Sequence, residues 1–162
     1  MKKFSWVQRG NFPLHYELQC GGLPFGSLSW VQGSRSTAVA EMAGGVMVFR
    51  REGILRRRIV IETLREEPIA RISLLPLAAS GELRHTDGNQ YRFTTRGGFE
   101  WSDASGRVLA GDALPLVLVF AEWYLHVTLR HEQDPAPKTA ASGLPSLQTG
   151  LSFPGTGSSA RR

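Results

Sequence analysis

Short runs in which apolar and polar residues alternate recur from residue 4 to residue 110, each closed by glycine, proline or a small polar cluster. That pattern predicts β-strands joined by tight turns. Eleven runs can be placed, at about residues 4–8, 15–20, 25–30, 36–42, 46–51, 54–62, 68–75, 82–85, 89–95, 99–103 and 107–110. Several of the turns have a chemical basis. Gly21-Gly22-Leu23-Pro24 combines glycines that permit a positive φ with a proline that blocks further pairing. Glu52-Gly53 reads as a tight turn between residues 46–51 and 54–62. Thr86-Asp87-Gly88 and Ala104-Ser105-Gly106 read as three-residue hairpin loops, with glycine in the left-handed position of a bulge. These loop lengths set Leu83 opposite Tyr91, Trp101 opposite Leu109 and Asp103 opposite Arg107. Apolar residues then share one face and opposite charges meet.

Residues 114–129 break the alternation with Leu-Pro-Leu-Val-Leu-Val-Phe-Ala-Glu-Trp-Tyr-Leu-His-Val-Thr-Leu. The length predicts a helix over about 114–131, with Asp112 as its N-cap, Pro115 in the first turn and His131 near the C-terminal carbonyls. On a helical wheel the segment is apolar nearly all round, interrupted mainly by Glu122 and His126. Such a helix must be enclosed by protein or by lipid. A membrane span needs about 20 apolar residues, and this run is shorter and carries an acid near its middle. The expectation is therefore a helix surrounded by the strands. With no helix between strands, a βαβ architecture is excluded. The predicted fold is mainly β: a closed antiparallel barrel of about 11–12 strands enclosing one hydrophobic C-terminal α-helix.

This combination resembles the tubby-like β-barrel superfamily, which includes tubby C-terminal domains, LURP-one-related proteins and phospholipid scramblases. The resemblance, to a small bacterial-type member, spans about residues 4–131. It is carried by the hairpin Val46-Met47-Val48-Phe49-Arg50-Arg51-Glu52-Gly53-Ile54, the Asp87-Gly88 turn and the apolar helix. It implies a barrel filled by its own helix, no deep ligand cavity, and a lipid-binding or scaffolding module rather than an enzyme. No fingerprint of tubby phosphoinositide binding is matched residue by residue, so no site residue is carried over.

Composition narrows the picture. A chain of 162 residues with 41% hydrophobic content is long enough for one core and too short for two. The single cysteine, Cys20, excludes an internal disulfide and a Cys-rich zinc site. Met1-Lys2-Lys3 is followed by Ser5, Gln8, Arg9 and Asn11 instead of an apolar run, so no targeting segment is predicted and the expected location is cytoplasmic. The net charge of +5 and a pI near 10.0 invite an anionic partner. Part of that charge lies in residues 134–162, a Ser/Gly/Pro-rich stretch expected to be a disordered tail. It holds Lys138, Arg161 and Arg162 against Asp134 and so leaves about +3 for the barrel domain, residues 1–133.

The basic character of that domain is densest at Arg50, Arg51, Arg56, Arg57 and Arg58. Alternation would send Arg56 and Arg58 to one face and Arg57 to the face of Leu55, Ile59 and Ile61. Guanidinium forks suit phosphate oxygens, so this hairpin is the candidate anion or lipid-headgroup site. A plainer alternative is a solvated edge partly neutralised by Glu52, Glu62, Glu66 and Glu67. The partner implied is an anionic membrane surface or a protein. A weak nucleic-acid-binding β-barrel is a third reading, disfavoured because no aromatic residues interleave with the arginines. The enzymatic alternative would use Cys20, or Glu122 with His126. Cys20 and His15 are five apart on one strand and point to opposite faces. Glu122 and His126 share a helical face, yet no HExxH or comparable spacing supplies further metal ligands. They are expected to form one buried hydrogen-bonded contact. The glycine pairs lack a phosphate-loop context. No metal and no cofactor is implied.

Overall fold

The computed structural model describes residues 3–53, 55, 57–75 and 80–133, the side chains of residues 131–133 excepted. Eleven strands follow one another: β1 (Phe4–Asn11), β2 (Leu14–Cys20), β3 (Leu23–Trp30), β4 (Thr37–Met42), β5 (Gly45–Glu52), β6 (Arg58–Glu62), β7 (Pro68–Leu74), β8 (Ser80–His85), β9 (Gln90–Thr94), β10 (Glu100–Asp103) and β11 (Val108–Leu109). Each pairs antiparallel with the next in a single sheet. Helix α1 (Leu116–Gln133) follows a 3-10 turn over Gly111–Ala113. The two three-residue loops form as their sequences predict. Gly88 and Gly106 adopt φ of 94° and 86°, and Leu83 faces Tyr91 while Trp101 faces Leu109. Asp103 meets Arg107 through an ion pair of 3.2 Å.

The inward side chains decide the shape. Leu18, Leu28, Ala38, Ala40, Phe49, Ile59, Ile61, Ala70, Ile72 and Leu83 are fully or almost fully buried, as are Leu118, Phe120, Ala121, Tyr124 and Leu125 of α1. Trp6 of β1 packs on Phe120 and Trp123, Tyr16 of β2 on Trp123, and Trp30 of β3 and Phe49 of β5 on Tyr124. Trp101 of β10 reaches the same helix beside Glu122. Eleven strands laid flat would span about 48 Å, whereas a helix is only about 10 Å across. Strands from both ends of the meander can touch one helix only if the sheet curls round it.

The sheet does not close. No hydrogen-bonded ladder joins β1 to β11, so the expected closed barrel is replaced by an open, curled sheet. Two features oppose closure. β11 is two residues long, and the chain then turns at Gly111 (φ 59°) into the 3-10 turn. β1 is interrupted by a register shift between Gln8 and Gly10, which bends an edge strand away from further pairing.

Three local expectations also change. Leu23 and Pro24 lie inside β3, so the turn there is Gly21-Gly22 alone, and Pro24 is accommodated by a register shift against Gln19. The β5–β6 connection is not a tight Glu52-Gly53 turn, since β6 begins only at Arg58. Asp112 belongs to the 3-10 turn, four residues before α1 begins and so outside its N-cap position, while the Leu118 and Val119 N–H groups of α1 donate to the Pro115 carbonyl at 2.9 and 3.3 Å. The expected tail, residues 134–162, and the expected role of the His131 side chain lie outside the described residues.

Gly26 marks a close approach of β3 to both β4 and the helix. A Cβ there would lie 2.7 Å from the Glu41 carbonyl oxygen and 3.0 Å from Phe120 Cζ, while one at Gly44 would meet nothing within 4 Å. Gly26→Ala is expected to lower stability by about 1–3 kcal/mol through overpacking. Gly44→Ala should leave the denaturation midpoint within about 0.5 kcal/mol of the parent. Equal midpoints for the two variants in chemical denaturation would contradict the close approach.

Candidate anion-binding surface

Because side chains alternate across a strand, the burial of Met47, Phe49, Ile59, Ile61, Ile72, Leu83 and Phe93 fixes which neighbours point outward. Register then assembles two rows on the outer face. One runs Arg50, Val60, Arg71, Arg84, Gln90 across β5 to β9. The other runs Glu52, Arg58, Ser73, Glu82, Arg92, Ser102 across β5 to β10. Five arginines from five strands thus share one patch of the outer face. Val60 is only 6% exposed although it faces outward. Arg50 and Arg71 flank it in register, and their aliphatic stems are placed to cover it.

The patch is unevenly neutralised. Arg50 pairs with Glu62 at 3.1 Å and with Glu52 at 3.4 Å, and Arg84 pairs with Glu82 at 2.7 Å. Arg58, Arg71 and Arg92 are exposed and make no ion pair among the described residues. Arg71 lies directly opposite Arg84. Like charges at such a position are destabilising in the free protein, and a bound anion between them would relieve the repulsion.

The five arginines singled out in the sequence separate. Arg50 and Arg58 belong to the outer face. Arg51 has the parity of Phe49 and Ile59 and alternates to the inward side. Arg57 is exposed in the β5–β6 connection, its carbonyl accepting from the Leu74 N–H at 2.8 Å, so it does not join Ile59 and Ile61 on a strand face. Arg56 lies outside the described residues. Arg71, Arg84 and Arg92 were missed because each stands alone in the sequence. The signal was present: each sits next to an inward residue of a regular alternation, and the hairpin registers bring them together.

The enzymatic alternative finds little geometry. Cys20 and His15 occupy opposite ends of β2, about 16 Å apart at the rise of an extended strand. His15 bonds instead to Ser29 at 2.5 Å. Glu122 and His126 do not form the expected hydrogen-bonded contact. His126 stacks on Trp123, with centroids 5.0 Å apart. Glu122 faces the indole of Trp101, whose buried N–H has no partner at hydrogen-bond geometry. Burial raises the Glu122 carboxyl above the usual carboxylate value, with Trp101 offsetting part of the rise. Burial lowers His126, and the nearby Arg130 charge lowers it further. Two shallow clefts, of about 410 and 310 Å³, are lined by residues around Glu17 and Glu41 and around Asn89 and Ser105. Neither includes Cys20, Glu122 or His126. Among the described residues no group of three or more His, Cys, Asp and Glu is placed to hold a metal ion, and no helix is long and apolar enough to cross a membrane.

No protein-family model matches the chain, and no curated protein or solved structure shows significant similarity to it.

The two shifted groups act on stability in opposite directions. Glu122 is raised from 4.5, so its contribution is full below that value and lost as pH rises through the raised one. His126 is lowered from 6.5, so its contribution is full above that value and lost as pH falls through the lowered one. Glu122→Gln should remove the loss on the alkaline side and stabilise the protein at neutral pH. His126→Gln should flatten the loss below pH 6.5. Denaturant midpoints across this range check both, and parallel curves for parent and variants would contradict the burial argument.

Proposed function

We propose that the protein is a binding or scaffold module that docks an anionic partner on the outer face of β5–β9. The observation that carries this reading is the grouping of Arg58, Arg71 and Arg92, exposed and making no ion pair among the described residues, beside Arg50 and Arg84 on one contiguous face. Folding gains nothing from placing Arg71 opposite Arg84, so the arrangement makes sense as a receptor for charge from outside. Guanidinium groups present planar forks that match phosphate oxygens. The face is a strand surface with no cleft among the arginines, which suits a partner presenting many anionic groups over an area. Anionic lipid headgroups fit that description. A protein bearing clustered carboxylates is the second reading, favoured by the same absence of a cleft. A sheet filled by its own helix leaves the outer surface for contact, which suits the non-enzymatic module that the tubby-like resemblance implies.

The surface is tested by co-sedimentation with anionic and with neutral vesicles. Each basic residue near anionic lipid contributes about 1 kcal/mol. The triple variant Arg58→Glu/Arg71→Glu/Arg92→Glu should therefore lose about a hundredfold in partitioning to anionic vesicles. Equal binding of the parent to both vesicle types, or an unaltered triple variant, would overturn the lipid reading. Arg71→Gln alone should raise stability by about 0.2–0.5 kcal/mol by relieving its repulsion with Arg84, while weakening anion binding. A lower denaturation midpoint for this variant would contradict the like-charge argument.

A further inference from the structure

In an antiparallel meander successive connections alternate between the two ends of the sheet. The β1–β2, β3–β4, β5–β6, β7–β8 and β9–β10 connections therefore gather at one end, and the remaining five at the other. Among the described residues, four connections of the first set carry an exposed large apolar side chain: Phe12 (99% exposed), Val31 (44%), Leu55 (72%) and Leu75 (54%). The charged residues described in the same connections are Arg35, Arg57 and Arg96, all exposed, and the β11–α1 connection, which leaves from this end, adds the exposed Asp112. The opposite end also exposes Leu23 and Leu64. There, however, Glu66, Glu67 and Asp87 offset Arg65 and Arg107 in the connections. Both ends expose apolar side chains, and the connections of the first carry a net positive charge.

The first end is also firmly mounted. The Tyr124 hydroxyl donates to the Ser36 carbonyl at 2.6 Å, tying the β3–β4 connection to α1. Ser34 Oγ accepts from the Ser36 and Thr37 N–H groups, and the Val31 N–H donates to the Thr37 carbonyl. That anchoring holds Val31, and all four apolar tips remain exposed because nothing among the described residues covers them.

From this arrangement we infer that the basic, apolar end docks onto the surface of an anionic bilayer, with Phe12, Val31, Leu55 and Leu75 entering the interfacial region and Arg35, Arg57 and Arg96 meeting lipid phosphates. The inference rests on the anion-binding reading and names its partner. Two observations favour a bilayer over a protein. The apolar residues sit on four separate connections, with neither described cleft among them, so a protein would need several matching pockets, whereas a fluid interface accepts isolated tips. The connections at this end are also net positive, with three described arginines against Asp112, as an anionic leaflet favours. The opposite end, where carboxylates balance the basic residues, lacks that net attraction. The outer-face row nearest this end holds Arg58 and Arg92, so a molecule docked on this end and tilted onto the arginine face brings both surfaces to the headgroups.

The test uses the full chain with vesicles of phosphatidylcholine containing about one third phosphatidylserine, and with vesicles of phosphatidylcholine alone. Phe12→Ser/Leu55→Ser removes two exposed tips, so its thermal melting should match the parent. Its partitioning to the anionic vesicles should fall about tenfold. In a Phe12→Trp variant, emission should shift to shorter wavelength on those vesicles and be quenched by brominated acyl chains more than in the parent. Parent-like binding by the double-serine variant, or emission from the Phe12→Trp variant that does not respond to anionic vesicles, would overturn end-on docking. If the β5–β9 triple-glutamate variant loses binding while the double-serine variant retains it, the anion-binding face stands and end-on docking falls. If the parent binds neither vesicle type, both fall.

Discussion

A single constraint organises the molecule: helix α1 is apolar nearly all round, and no single flat layer can bury it. A helix with one apolar stripe needs a sheet on one side. Leu118, Phe120, Ala121, Tyr124 and Leu125 are completely buried and point in directions that a flat surface would not reach together. The curl of the sheet, the use of large aromatics on β1, β2, β3, β5 and β10, and the absence of an internal cavity large enough to hold a ligand among the described clefts all follow. The space that a ligand would fill in a hollow barrel is taken by the chain's own helix.

The open sheet holds its helix through side chains that reach it from both ends of the meander. With β11 only two residues long and β1 bulged near Arg9, the two edges cannot pair over any length. The Trp6 and Trp101 side chains, from opposite ends of the meander, meet the helix instead. The less buried side of α1, carrying Glu122, Trp123, His126 and Arg130, is where titratable groups are admitted. Their shifted protonation follows chiefly from partial burial. A carboxyl beside an indole and an imidazole stacked on another indole are both pushed toward their neutral forms by the same apolar surroundings.

With the interior occupied, chemistry is left to the outside. The outer face is where the alternation that buries Ile72, Leu83 and Phe93 delivers Arg71, Arg84 and Arg92, so the packing that builds the core also builds the basic patch. The ends of the sheet differ in charge for an equally simple reason, since odd and even connections are drawn from different loops. A function resting on surface charge and loop tips needs neither a pocket nor a precise constellation of reactive groups.

Local patterns in the chain were sufficient for eleven strands, for the loops ending in Gly88 and Gly106, and for one enclosed helix, because hydrophobic alternation, positive-φ glycines and helical length act over a few residues. They misplaced the Glu52-Gly53 turn, made Asp112 a cap, and paired Glu122 with His126, because those choices depend on what neighbours offer in space. The arginine cluster shows the difference most clearly. Five arginines close in sequence looked like one site, yet Arg51 alternates to the inward side and Arg57 leaves the strand. The patch that forms draws Arg71, Arg84 and Arg92 from three other strands. Whether the curled sheet closes was likewise decided in three dimensions, by the length of β11 and the bulge in β1. Sequence determined the elements and the need to enclose the helix; only register and curvature determined which charges share a face.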